Sequence, residues 1–163
     1  MENPGVRWGV YLGIASIATA LIFYIISPKM LFTVNSYVGM VITIAMLVMA
    51  CKETKEDLGG FASFGQMCQP AFIAFAIGSI ISVAFTYVLM NIIDTGLQDI
   101  QREISIEAVE KMSGFLGEEG VEAAIEEIEN SNPMSITKSG MGLAVSLIIG
   151  ALVSSIIAAI MKK

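Results

Sequence analysis

Taken as runs of apolar and charged positions, the chain divides into four long apolar stretches and three polar intervals. No Asp, Glu, Lys or Arg occurs over 8–28, 30–51, 58–93 or 139–161, and each stretch reaches the roughly 20 apolar residues that cross a bilayer as a helix. The pattern predicts spans at about 8–27, 30–50, 64–93 and 139–161. Pro28 ends the first, because its ring cannot continue a helix and it biases Ser27 toward extended backbone. Only Ser27, Pro28 and Lys29 separate the first two runs, so the second span is expected to return antiparallel as a tight helical hairpin. A signal peptide cleaved near Ala18-Thr19-Ala20 is the competing reading. The apolar run continues through Leu21 to Ile26, which favours a retained helix.

A polar connector, Lys52 to Asp57 and then Gly59-Gly60, precedes the third span. Ser63 and Gln66 have capping-box spacing, in which each side chain takes a backbone N–H of the other residue. Helix three is therefore expected to start near Phe64, with a kink at Pro70. The interval 94–138 is different. It holds eleven carboxylates against Arg102, Lys111 and Lys138, yet Leu97, Ile100, Ile104, Ala108, Met112 and Phe115 recur at three- and four-residue steps. Val121, Ala124, Ile125 and Ile128 make a shorter stripe after Gly117 and Gly120. Two amphipathic helices outside the membrane are expected, closed by the turn Asn130-Ser131-Asn132-Pro133. The predicted architecture is an all-α integral membrane four-helix bundle, one domain over 1–163, with an extramembrane amphipathic helical hairpin between spans 3 and 4.

Composition agrees. The chain is 55% hydrophobic and 15% charged, against roughly 25% charged in soluble domains. The net charge of −6 comes almost wholly from 94–138 and leaves no basic patch, so nucleic acid is not an expected partner. There is no histidine, which removes the usual general base and the commonest metal ligand. Cys51 and Cys68 fit no zinc or redox spacing, Glu118-Glu119 and Glu126-Glu127 lack the pattern of a calcium loop, and no catalytic, cofactor or metal residue is assigned. Basic residues near span ends number five on the side of both termini (Arg7, Lys52, Lys55, Lys162, Lys163) and three on the other (Lys29, Arg102, Lys138). This favours both termini in the cytoplasm and 94–138 outside.

The sharpest pattern within the spans is a small residue at every fourth position. Helix one carries Gly5, Gly9 and Gly13, then Ser16 and Ala20; helix three Ala74, Gly78, Ser82 and Thr86; helix four Gly142, Ser146, Gly150, Ser154 and Ala158. Lipid offers no hydrophobic drive for helix association, so helices associate by close backbone approach, which small residues permit. Gly9, Gly13, Gly78, Ser82, Gly142, Ser146, Gly150 and Ser154 are the expected contact positions, either within one chain or toward a second copy or membrane partner. Polar candidates inside spans are few: Asn35, Thr43, Gln69, Thr86 and Asn91.

The stretch Gly59-Gly60-Phe61-Ala62-Ser63-Phe64-Gly65-Gln66 before the third span, the exit through Tyr87-Val88-Leu89-Met90-Asn91-Ile92-Ile93-Asp94, and the glutamate-rich helical interval before a last span together resemble the bacterial DUF4199 family. The resemblance covers nearly the whole chain and implies a small four-span inner-membrane protein with no agreed activity. It carries over no site residue. The expected function is non-enzymatic: an accessory or structural subunit of a cell-envelope assembly, partnered by the lipid bilayer and by its own copies or another membrane protein. A small-solute or ion permease acting as an oligomer is the alternative.

Overall fold

The computed structural model describes residues 3–133 and 135–162. Among these the chain is all-helical: α1 (Pro4–Ile26), α2 (Pro28–Phe32), α3 (Val34–Asp57), α4 (Phe64–Val88, prolonged by a π turn, Leu89–Ile93), α5 (Leu97–Lys111), α6 (Ser113–Asn130) and α7 (Ile136–Met161). Four of them, α1, α3, α4 with its π turn, and α7, are long and apolar enough to cross a membrane.

The helix ends are set by local chemistry. Asn3 caps α1 by accepting from the Gly5 N–H at 2.9 Å, with Pro4 in the first turn, where its missing N–H costs nothing. Ser63 and Gln66 close a capping box on α4, with Ser63 N–H donating to Gln66 Oε1 at 2.8 Å. Ser135 accepts from the Lys138 N–H at the start of α7. The polar run Lys52–Asp57, expected as a connector, instead forms the last turns of α3. Lys and Glu are good helix formers, and the stop comes only at Gly59 and Gly60, whose φ values of 76° and 92° continue no right-handed helix. There Gly60 N–H donates to Lys55 O and Gly59 N–H to Glu56 O, the pair of bonds that closes a Schellman turn.

Two further boundaries differ from expectation. The first two spans are not joined by a bare turn, because Pro28 starts the short helix α2, which packs against both α1 and α3. In the acidic interval the first helix stops at Met112, so Phe115 belongs to α6 and is 87% exposed. Gly117, at φ 72°, then breaks α6 internally.

Helix α4 is central and packs against α1, α3 and α7. Its contact with α1 is set by glycine. A Cβ on Gly5 would lie 2.7 Å from Pro70 O, one on Gly9 2.8 Å from Ile77 Cβ and 3.0 Å from Ala74 O, and one on Gly13 2.7 Å from the Ile81 side chain. In return, a Cβ on Gly78 would strike Leu12 at 2.6 Å. Across the opposite side of α4, Gly150 of α7 lies against Phe75. Pro70 is buried within α4 and forms part of the surface that receives Gly5. Two apolar clusters result. One contains Leu47, Cys51, Met67, Ala71, Ala74, Ile157 and Ala158; the other joins Ala20, Leu31, Leu89 and Met90 to Leu97 of α5.

Gly9→Ala is expected to lower the stability of the purified protein by about 1–3 kcal/mol through overpacking against backbone. Gly142 is exposed with open space around it, so Gly142→Ala should leave stability unchanged or slightly raised. Denaturant titration in detergent micelles separates the two.

Candidate functional site

The glycine-guided contact of α1 with α4 does not run the length of the helices. One turn beyond Gly13 the same face of α1 presents Ser16, and one turn beyond Gly78 the same face of α4 presents Ser82. Here α2 is inserted between α1 and α3, with Leu31 buried. A cavity of about 250 Å³ opens between these three helices and α4, lined by Ser16, Thr19 and Ala20 of α1, Leu31 and Phe32 of α2, Asn35, Ser36, Gly39 and Thr43 of α3, and Ser82, Thr86 and Leu89 of the α4 segment. Ser16, Thr43 and Ser82 also line a second compartment of about 240 Å³ that reaches Phe75, Gly78, Ser79 and Ser146 of α7. The compartments lie between the two apolar clusters, bounded by Ala20, Leu31 and Leu89 on one side and by Leu12 and Phe75 on the other.

Hydroxyl groups on apolar helices ordinarily donate to the carbonyl one turn back. Thr19 does so to Ala15 O at 3.0 Å, Ser36 to Phe32 O at 3.0 Å and Thr86 to Ser82 O at 2.9 Å. Among the described residues, the hydroxyls of Ser16, Thr43 and Ser82 have no protein partner. They come from three different helices and face the same space. The Asn35 Oδ1 atom is buried and accepts no hydrogen bond. No ionisable side chain lines either compartment.

The residues singled out from the sequence therefore separate. Gly9, Gly13, Gly78 and Gly150 lie in contacts within the chain. Ser82 lines the cavity, and Ser146 lines the second compartment while donating to Leu143 O at 2.8 Å. Ser154 is fully buried with an unpartnered Oγ, and Gly142 is exposed. Of the polar candidates, Asn35, Thr43 and Thr86 are brought together. Gln69 instead lies near Asn3 and Pro4 at the far end, and Asn91 is in the π turn, where its Oδ1 accepts from Gln98. Ser16 is legible from the sequence only as a small residue of the α1 stripe, and Ser79 lies outside the small-residue stripes; nothing in their spacing marks them as cavity-lining.

At the cavity end of the bundle, polar bonds tie down the acidic interval. Tyr24 Oη donates to Asp94 at 2.9 Å, Gln98 Nε2 to Met90 O at 2.9 Å, and Lys29 Nζ to Glu103 at 2.9 Å. The Ser131 Oγ accepts from Lys138 Nζ at 2.7 Å, and its carbonyl accepts from Arg102. At the opposite end, Arg7 and Trp8 of α1 both donate to Glu53 of α3, and Lys55 donates to Met161 O of α7. The starts of α1 and α4 and the ends of α3 and α7 thus share one end of the bundle.

The Glu103 hydrogen bond and charge hold the Lys29 ammonium above its ordinary range, and the Lys111 hydrogen bond holds Glu107 below its own. Lys29 therefore contributes fully below the ordinary lysine value and loses its contribution as pH rises through the raised one. Glu107 contributes above the ordinary carboxylate value and loses it as pH falls through the lowered one. With reference values of about 10.4 and 4.3, the thermal midpoint in detergent should be flat with respect to these two groups between about pH 6 and 9. Lys29→Gln should shrink the decline above that window and leave the acid limb in place.

No curated protein and no solved structure matches the chain. The family model described as "Protein of unknown function (DUF4199)" matches residues 7–163, from the Arg7 latch through the glycine-packed α1–α4 pair, the cavity and the acidic interval to the end of α7, and the chain belongs to the DUF4199 family.

Proposed function

We propose that the chain is a non-enzymatic integral membrane protein of the bacterial inner membrane, an accessory or structural subunit of a cell-envelope assembly. In this reading both termini are cytoplasmic and the α5–α6 hairpin stands in the periplasm as its docking arm. The observation that carries the reading is the tip of that hairpin. Met112, Phe115 and Leu116 are 50%, 87% and 39% exposed, on an interval otherwise rich in carboxylates, and α6 has no buried residue of its own. An apolar group outside the bilayer, rimmed by charge, is the usual mark of an interaction site. The base of α5 is seated by Leu97 in an apolar cluster and by the Gln98 bond to Met90 O, so the hairpin is presented from that base.

A second reading, a small-solute permease acting as an oligomer, is favoured by the cavity alone. It requires a path past Leu47, Met67, Ala71 and Ala74, all fully buried, and so a motion that parts α3 from α4.

Native mass spectrometry of the protein gently extracted from its own membrane tests the first reading. A second polypeptide at fixed stoichiometry is expected, and Phe115→Ser should reduce its recovery at least tenfold without changing the thermal midpoint. A bare chain or homo-oligomer would overturn it and direct attention to flux in liposomes. A C-terminal reporter active only in the cytoplasm should be active; an inactive fusion would reverse the topology.

A further inference from the structure

The cavity between α1, α3 and α4 has a chemistry the docking role does not use. Its lining is half hydroxyl and half hydrocarbon: Ser16, Thr43 and Ser82 offer three unpartnered hydroxyls, and Asn35 an unpartnered acceptor. An unmet polar group is costly in an apolar surround, where no bulk water substitutes for the missing partner. Of the four, Asn35 Oδ1 is buried and unmet, whereas the hydroxyls of Ser16, Thr43 and Ser82 are half-buried and open onto the cavity, where water or the hydroxyls of a bound molecule can pair with them.

The lining also limits what that molecule can be. No carboxylate is present to neutralise a cation and no Lys or Arg to neutralise an anion, and an uncompensated ion at this depth is strongly disfavoured. The ligand is therefore neutral. Asn35 Oδ1 needs a donor, whereas each Ser or Thr hydroxyl can both donate and accept. The partner groups are spread along the cavity on separate helices, so several ligand groups are wanted, each able to donate and accept: adjacent hydroxyls on a short carbon chain. The apolar walls, Ala20, Leu31, Phe32 and Leu89, suit the carbon side of such a molecule. At roughly 30 Å³ of liquid volume per water, about 250 Å³ takes about eight waters, ample room for a glyceryl-sized group with water beside it. Helix α7 closes only part of the second compartment, contributing Ser146 alone, and its contact with α3 is much smaller than its contact with α4. A lipid headgroup would enter from the lipid side between α3 and α7, a free solute from water.

We propose that this cavity binds a neutral polyol, held by Ser16, Asn35, Thr43 and Ser82, either as a free solute or as the glyceryl headgroup of an uncharged lipid. The full-length protein in phosphatidylcholine nanodiscs provides the test, with two probes: glycerol in the buffer, and monoolein doped into the bilayer. Native mass spectrometry reads the retained adduct. Wild type should retain glycerol, monoolein or both, and the arm that gives the adduct identifies the source. Thr43→Val and Ser82→Ala, which keep the shape and remove the hydroxyl, should each weaken the adduct at least fivefold, and together at least tenfold. Ser155→Ala, whose hydroxyl is bonded to Ala151 O at 2.7 Å and does not line the cavity, should leave it unchanged. All variants are first checked for wild-type thermal midpoints, and Ser16→Ala replaces any that fails. No adduct from either probe, or an adduct equally strong in the double variant, would overturn the proposal and leave a cavity filled by water.

Discussion

Everything in this bundle depends on how closely α1 can approach α4. Apolar burial does not drive helices together in lipid, so contact surface and backbone proximity must supply the association. Gly5, Gly9 and Gly13 let the backbone of α1 lie against Pro70, Ala74, Ile77 and Ile81, and Gly78 makes room for Leu12. With α1 fixed on α4, α3 is drawn in by the Arg7 and Trp8 bonds to Glu53, and α7 closes the other side of α4 through Gly150 on Phe75. The tight end and the open end of the bundle follow from the same pair of helices: where glycine gives way to serine and α2 is inserted, contact becomes cavity.

The spans were legible because soluble folds seldom carry a charge-free apolar stretch of bilayer length, let alone four. Their limits were less so. Lys52 to Asp57 looks like a connector by polarity, but polarity does not stop a helix; the backbone conformation at Gly59 and Gly60 does, and α3 runs to them. The small-residue stripes announced where helices could touch, not where they do. Gly9 and Gly142 have the same spacing signature, yet one meets Ala74 and Ile77 and the other meets nothing among the described residues, since the outcome depends on the partner helix. For the same reason Ser16 and Ser82 read as packing residues. Their role as cavity lining is set by α2, a five-residue helix hidden inside what looked like a turn. Phe115 fitted the α5 stripe by period and lies outside it because the chain breaks at Met112.

The hairpin and the cavity occupy the same end of the molecule, and their supports are shared. Leu31 and Leu89 belong both to the cavity wall and to the apolar cluster that seats Leu97. Anything that changes the volume of the cavity presses on the residues that hold the base of α5. The fold thus links the two features mechanically through side chains that each of them needs.

The distribution of charge along α5 and α6 has a consequence for reach. A helix of 15 residues is about 22 Å long, nearly three screening lengths at physiological ionic strength, where each is about 8 Å. The base of the hairpin, with Lys29 on Glu103 and Arg102 on Asp99, is close to locally neutral. Glu129 returns to that base two residues before Ser131, whose carbonyl Arg102 holds, so the glutamates set apart from it are those nearest the tip, Glu118 and Glu119. An approaching surface therefore meets the acidic tip first, and the paired charges at the base come into play only as it nears the bundle.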